Sequence, residues 1–235
     1  MNKTKGLFFT ASLVLALTLT QSCSGDDGGG KEEGGQEGII QGTPITYEGE
    51  TYPTVIIGSQ TWFAKNLNYD VQGSKCYDDD PANCTQYGRL YDWATAMGFS
   101  SNCNSAFCLS QIQSPHRGIC PSGWHIPSYN DWDILIIYSG HESTAGAKLK
   151  STSGWNSHNA ASGSTDQYGF SALPGGGYLS GGFGNVGDFG HWWSASENEN
   201  SNNRAYRQNM SYISDMADLG ANDKSNLLSI RCIKD

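Results

Sequence analysis

The sequence predicts an α+β domain in which short helices pack on twisted antiparallel sheet and disulfides staple the whole. Three observations lead there. The 235-residue chain holds 30 glycines, 7 tryptophans and 12 tyrosines but only 16% charged residues, a texture of aromatic segments bounded by turns rather than of long surface helices. Apolar residues recur at helical spacing in only a few short windows, and short strand-like runs fill the second half. Seven cysteines behind an apolar leader suit an oxidising compartment.

The leader comes first. Lys3 and Lys5 precede an apolar run from Leu7 to Leu19 that is too short to span a bilayer comfortably, which reads as a signal peptide over residues 1–22. Ser22-Cys23 then suits lipoprotein processing, with a lipid thioether on Cys23 anchoring the chain to the bilayer. Thr20 stands where Leu is usual, so ordinary signal cleavage is the alternative. Lipidation of Cys23 leaves six cysteines, an even set. Residues 23–43 are rich in Gly and acids and have little to bury, so they read as a flexible tether. Residues 44–235 form the single globular domain. Losing Lys3 and Lys5 takes the net charge from −9 to −11, which excludes nucleic acid as a partner and adsorption to anionic lipid.

Within the domain, Tyr47 to Ile57 reads as a hairpin turning near Gly49, and Gly58-Ser59 as a two-residue turn into a strand over Thr61–Ala64. Pro53 implies an edge strand. Cys76 and Cys84 flank a turn-forming run. Leu90, Trp93, Ala94 and Met97 give an amphipathic helix closed by Gly98, and Cys103 and Cys108 enclose a small loop. The stretch 120–140 holds the centre. Pro121-Ser122-Gly123 makes a turn, Ser128 caps a helix with Asp131 in a capping box, and Trp132, Leu135, Ile136 and Ser139 form its buried stripe. Gly140 ends it. The expected partner of this helix is the closing strand, 227–233. Ala145–Lys150 reads as a further helical piece. Short strands follow over Phe170–Leu173, Tyr178–Leu179, His191–Ser196 and Ala205–Tyr212, separated by glycines at 175–177, 181–184 and 187–190.

Five ordered blocks carry a family resemblance. They are Ile57–Leu67 (Ile-Gly-Ser-Gln-Thr-Trp-Phe-Ala-Lys-Asn-Leu), Tyr87–Trp93, Cys120–Ser128 (Cys-Pro-Ser-Gly-Trp-His-Ile-Pro-Ser), Gly169–Pro174 and Ser229–Asp235. Together they resemble the Fibrobacter succinogenes major paralogous domain, found in envelope proteins of Bacteroidetes and Fibrobacteres and often on lipoproteins. The resemblance implies no particular reaction. By analogy it implies a C-type-lectin-like or formylglycine-generating-enzyme-like fold, with an early helix and a closing strand joined by a disulfide. Ser24-Gly25-Asp26-Asp27 is similar to the acidic signal that sends such lipoproteins to the outer face of the outer membrane. Six cysteines permit 15 pairings. The nearest-neighbour choices Cys76–Cys84 and Cys103–Cys108 leave Cys120–Cys232, whose closure is worth up to about 4.7 kcal/mol in the chain-entropy treatment.

No catalytic residue is expected. The cysteines are consumed, zinc-type spacings are missing, and the reactive cysteine pair of formylglycine-generating enzymes has no counterpart. His125 reads as a hydrogen-bonded core histidine rather than a base. The chain is expected to carry no cofactor; calcium at Asp78, Asp79 and Asp80 is the one alternative, and their spacing is not that of an EF loop. The triplets of calcium-dependent lectins do not occur, since Trp155-Asn156 is followed by Ser157. Ligand binding is assigned to Tyr178, Trp192, Trp193, Glu197, Asn198 and Arg204. There, one of two adjacent tryptophans would stand outward beside an unpacked polar loop; the alternative is that both tryptophans are core. The function read from these features is a surface-anchored, non-catalytic binding module for glycan. The alternative is a structural or adhesin component that binds envelope proteins. No carboxylate pair can be placed at glycosidase separation.

Overall fold

Residues 38–157 and 163–235 are described by the computed structural model; the leader, Cys23 and most of the tether fall outside them. The stretch read as tether nonetheless supplies a strand before residue 43. This is β1 (Ile40–Gln41), which pairs with β4. Next come β2 (Ile45–Tyr47) and β3 (Glu50–Tyr52), a hairpin turning at Glu48-Gly49 with both φ angles positive, and then β4 (Thr54–Ile57) and β5 (Gln60–Phe63). The β4–β5 turn is Gly58-Ser59 as expected, with Gly58 at φ +60. Pro53 sits between β3 and β4, and β4 is flanked on both sides, so the proline marks a strand break rather than an edge.

Two helices follow. The run Asp78-Asp79-Asp80, read as plain turn chemistry, instead starts α1 (Pro81–Tyr87): Asp80 accepts from the Ala82 amide at 2.9 Å, and proline takes the first helical position. Helix α2 (Trp93–Met97) is capped by Asp92 and ended by left-handed Gly98; Leu90, assigned to this helix from its spacing, pairs with Lys75 in a bridge instead. After β6 (Trp124–His125), α3 (Tyr129–Tyr138) has the expected capping box of Ser128 and Asp131. Its C-terminus is a Schellman motif, with the His141 amide on Ile136 O and the Gly140 amide on Ile137 O. Helix α4 (Glu142–Leu149) follows.

The second half is a sheet of β7 (Gly175–Leu179), β8 (Gly182–Val186), β9 (Phe189–Glu197), β10 (Arg204–Ser211) and β11 (Ala217–Asp223), in the order β11-β10-β9-β7-β8. The first sheet runs β1-β4-β5-β12-β6, where β12 is Ile233–Lys234. The expected strand 227–233 is therefore mostly not one. Leu227, Leu228 and Ser229 make single bridges to Tyr178, Tyr91 and Trp192, because the segment crosses from one sheet to the other. Phe170–Leu173 likewise contributes only the Ala172 bridge to Lys150.

Strand β9 is the wall between two cores. Trp193 enters one with Phe63, Trp93, Trp124, Cys120 and Cys232; Trp192 enters the other with Trp62, Trp132, Phe170 and Leu149. Helix α3 packs on β9, β10 and β11 rather than on the closing segment, which it meets through the core it shares with Ile233. Disulfides join Cys76–Cys84, Cys103–Cys108 and Cys120–Cys232, with Cα separations of 4.9, 5.7 and 6.0 Å. The domain is thus α+β, with two five-stranded sheets, short helices and three staples.

Polar ties cross the interior too. Arg231 is fully buried: Nε and Nη2 donate to Asn66 Oδ1 at 3.0 and 2.7 Å, further bonds reach the carbonyls of Phe63, Phe170 and Ser171, and the guanidinium lies 4.4 Å over the Phe170 ring. Burial pushes its pKa down to about 9. The ammonium of Lys150 donates to Ser211 O and Ser214 O at 2.9 and 2.7 Å. Arg231 uses all five of its N–H donors, which is what lets a guanidinium stay buried.

Candidate functional site

A cavity of about 670 Å³ opens where β6, β12, the start of α3 and the segment 112–116 meet. Its walls are mixed: amides and hydroxyls such as Gln60, Gln113, Ser128 and Asn130 alternate with the apolar Ile112, Ile126 and Ile134 and with the ionisable His125, Asp131 and Asp235. His125 lies in the wall, held on both sides: Nδ1 is 2.8 Å from Asp235 Oδ1 and Nε2 is 3.4 Å from Asp131 Oδ2. Asp131 is fixed in turn by the Ser128 amide at 2.8 Å and hydroxyl at 2.6 Å. The capping box of α3 thus orients the histidine. Burial works against the charged ring, but the hydrogen bonds to Asp131 and Asp235 outweigh it and hold the His125 pKa above the usual value. For Asp131 burial works upward, and His125 and Ser128 outweigh it to bring the carboxyl below its ordinary range. With a carboxylate on each ring nitrogen, the arrangement is a row of Asp235, His125 and Asp131 set in the cavity wall.

The binding residues read from the sequence are not brought together. Trp192 and Trp193 are both fully buried, which the alternation of β9 explains: opposite faces here mean opposite cores. Glu197 is no loop residue but the end of β9, with no accessible side-chain surface. Its two oxygens accept from the Cys108 amide at 3.0 and 3.1 Å, and it pairs with buried Lys224. Lys224 also donates to Ala106 O at 3.1 Å and Asn202 O at 2.9 Å, and lies 4.6 Å over the Trp93 ring. Tyr178 is half-buried against Phe183, their rings 5.0 Å apart. Asn198 and Arg204 do meet, the Asn198 amide donating to Arg204 O at 3.0 Å; the exposed Arg204 guanidinium reaches Ala221 O. Among the metal candidates, Asp79 pairs with Lys75 at 2.9 Å, Asp80 caps α1, and Asp78 sits in a turn at φ 56. Among the described residues no group of three or more His, Cys, Asp or Glu side chains is arranged to hold a metal.

The family model of the Fibrobacter succinogenes major domain matches residues 55–234. The chain belongs to this family. No curated protein and no solved structure matches it. In this Fibrobacter succinogenes major domain the five blocks converge in space, Tyr87–Trp93 joining through Tyr87 O, which accepts from Asn66 Nδ2 at 2.8 Å. Ile57–Leu67, Cys120–Ser128 and Ser229–Asp235 all contribute to the cavity wall, through Gln60, His125 and Asp235. The Arg231–Asn66 tie links the first and last blocks to Gly169–Pro174, through Phe170 O and Ser171 O. Sequence reading missed the cavity because His125 and Asp235 are 110 residues apart. The capping box was the one local signal that pointed there.

Proposed function

We propose that the chain is an envelope lipoprotein, anchored through Cys23 in the outer membrane and facing outward, whose Fibrobacter succinogenes major domain binds a ligand without transforming it. The observation that carries the binding reading is the cavity beside His125: an open wall of mixed apolar and hydrogen-bonding groups in which the histidine has both nitrogens facing carboxylates. All six cysteines of the domain are in disulfides, so none supplies a thiolate. A C-type-lectin-like arrangement accords with the Cys120–Cys232 bond, which ties the entry to β6 and α3 to the closing strand. Glycan is the preferred ligand class, and neither nucleic acid nor a resident cofactor has a part. A second reading, an adhesin that docks envelope proteins, draws on the outward face of α3, where Ile134, Ile137 and Tyr138 are exposed.

The test has two halves. Cells expressing the chain are fractionated and probed with external protease; the wild type should sediment with outer membrane and be cleaved from outside, while Cys23→Ala should move to the soluble fraction. The soluble form is then incubated with glycan and peptide libraries, and bound material should be recovered unchanged. Hydrolysed product that tracks the purified protein would sink the non-catalytic reading.

A further inference from the structure

Phe107 is exposed for a structural reason. The two peptide groups that flank it are both tied inward: Ala106 O accepts from Lys224 at 3.1 Å, and the Cys108 amide donates to Glu197. The Lys224–Glu197 pair that holds them is completely buried. Cys103–Cys108 closes the same loop covalently. With both neighbours pulled toward the core, the ring between them is turned outward, 50% exposed, and Leu109 beside it is 49% exposed. A lone exposed apolar residue is ordinary. One clamped by a disulfide and by a buried ion pair, which is costly to bury, is a presented surface.

Its surroundings define what it can meet. From Phe99 to Pro115 the chain has no ionisable side chain outside the disulfide, although the protein as a whole carries −9; nine of these 17 residues are Ser, Asn or Gln. The loop itself is therefore uncharged and rich in hydrogen-bonding side chains. We infer that the stapled loop around Phe107 is a recognition surface for a neutral carbohydrate, with the Phe107 ring stacking on a sugar face and the flanking amides and hydroxyls meeting the sugar hydroxyls. The C–H bonds of a sugar face carry slight positive charge and complement the negative face of an aromatic ring. Uncharged surroundings give no advantage to uronates, sulfates or phosphates. A ring already fixed in place loses little freedom on binding. The segment continues through the turn Leu109–Gln111 into Ile112–His116, which form a wall of the cavity. Phe107 and Ile112 are five residues apart, at most about 18 Å of chain, so the neutral tip lies near the cavity rim, whose charged groups His125, Asp131 and Asp235 are tied to one another. This deepens the binding-module reading and rests on it.

The experiment uses the full chain carrying Cys23→Ala and a panel of neutral hexose, pentose and N-acetylhexosamine oligomers, titrated by calorimetry. At least one oligomer should bind. Phe107→Ala should weaken it roughly tenfold or more, as for an aromatic anchor, with the melting temperature unchanged. Phe107→Trp should retain binding, while Phe107→Leu, apolar but not aromatic, should lose it. Equal binding by Phe107→Leu and the wild type would overturn stacking. Glycan binding indifferent to every Phe107 variant would overturn the site and leave the module reading standing. A melting temperature that drops in Phe107→Ala would show the ring to be packing instead. If the wild type binds no neutral oligomer, or only charged ones that salt releases, the ligand class is overturned. The module reading falls with it only if the chain also retains no envelope component in a parallel capture.

Discussion

At the scale of single residues, buried charge decides more than exposed polarity. Glu197 looks, in sequence, like the first residue of a solvated loop, and on that view its removal would be harmless. In the fold, Glu197→Ala strands a buried ammonium and a buried amide, so a loss of about 3–5 kcal/mol is expected, read as a lower denaturation midpoint. Replacing both partners, Glu197→Gln with Lys224→Met, should cost less than Glu197→Ala alone. Two of the buried histidines, His125 and His191, behave oppositely with pH. The His125 pKa is raised in the folded state, so its contribution is complete below the unfolded value of about 6.5 and is lost as pH rises through the folded value. For His191, burial first and then Arg207 push the pKa down to about 3, although Asn209 lies beside it. Its contribution is complete above about 6.5 and is lost as pH falls toward that lower value. Urea midpoints measured across pH should therefore slope downward on the neutral-to-alkaline side in the wild type and less so in His125→Gln. On the acid side, His191→Leu should flatten the slope. If His125→Gln has the wild-type slope, the carboxylate clamp is not set as described.

At the scale of elements, legibility followed local chemistry. Helix α3 was readable because its cap, its buried stripe and its terminating glycine are all within 13 residues. The Gly58-Ser59 hairpin was readable for the same reason. Strands β8 and β11, Gly-Phe-Gly-Asn-Val and Ala-Asp-Leu-Gly-Ala-Asn-Asp, have compositions that strands avoid; only their neighbours make them strands. The glycines of β7, read as punctuation, are there for closeness, whereas a Cβ on Gly182 or Gly184 of β8 would meet nothing within 4 Å. A Cβ on Gly176 would lie 2.3 Å from Gly184 O, at φ +60. Gly176→Ala should thus cost more than the ~1 kcal/mol of a strained backbone conformation alone, which chemical denaturation would show; a neutral result would mean that β7 and β8 separate freely. The candidate site was legible only in pieces. The cap at Ser128 and Asp131 could be read, but the partner at Asp235 and the two inward tethers of the Phe107 loop depend on residues far along the chain.

At the scale of the whole molecule, the closing segment holds the parts together. Leu228, Ile230 and Cys232 complete one core, Ile233 the other, and Leu227 a third, smaller cluster. Removing the Cys120–Cys232 bond by Cys120→Ala with Cys232→Ala should destabilise by up to about 4.7 kcal/mol. The short-loop pairs should cost less, an order that calorimetry of the variants can check. The Arg231 network adds a consequence for biogenesis. Asn66 waits for a partner 165 residues later in the chain, and contacts of such long range form slowly. A polypeptide threaded across a membrane from its N-terminus would have nearly all of its strands on the far side and still hold both cores open. Any protease that met the chain before residues 227–233 had docked would find both cores unfinished, so survival would be a race between docking of that segment and cleavage.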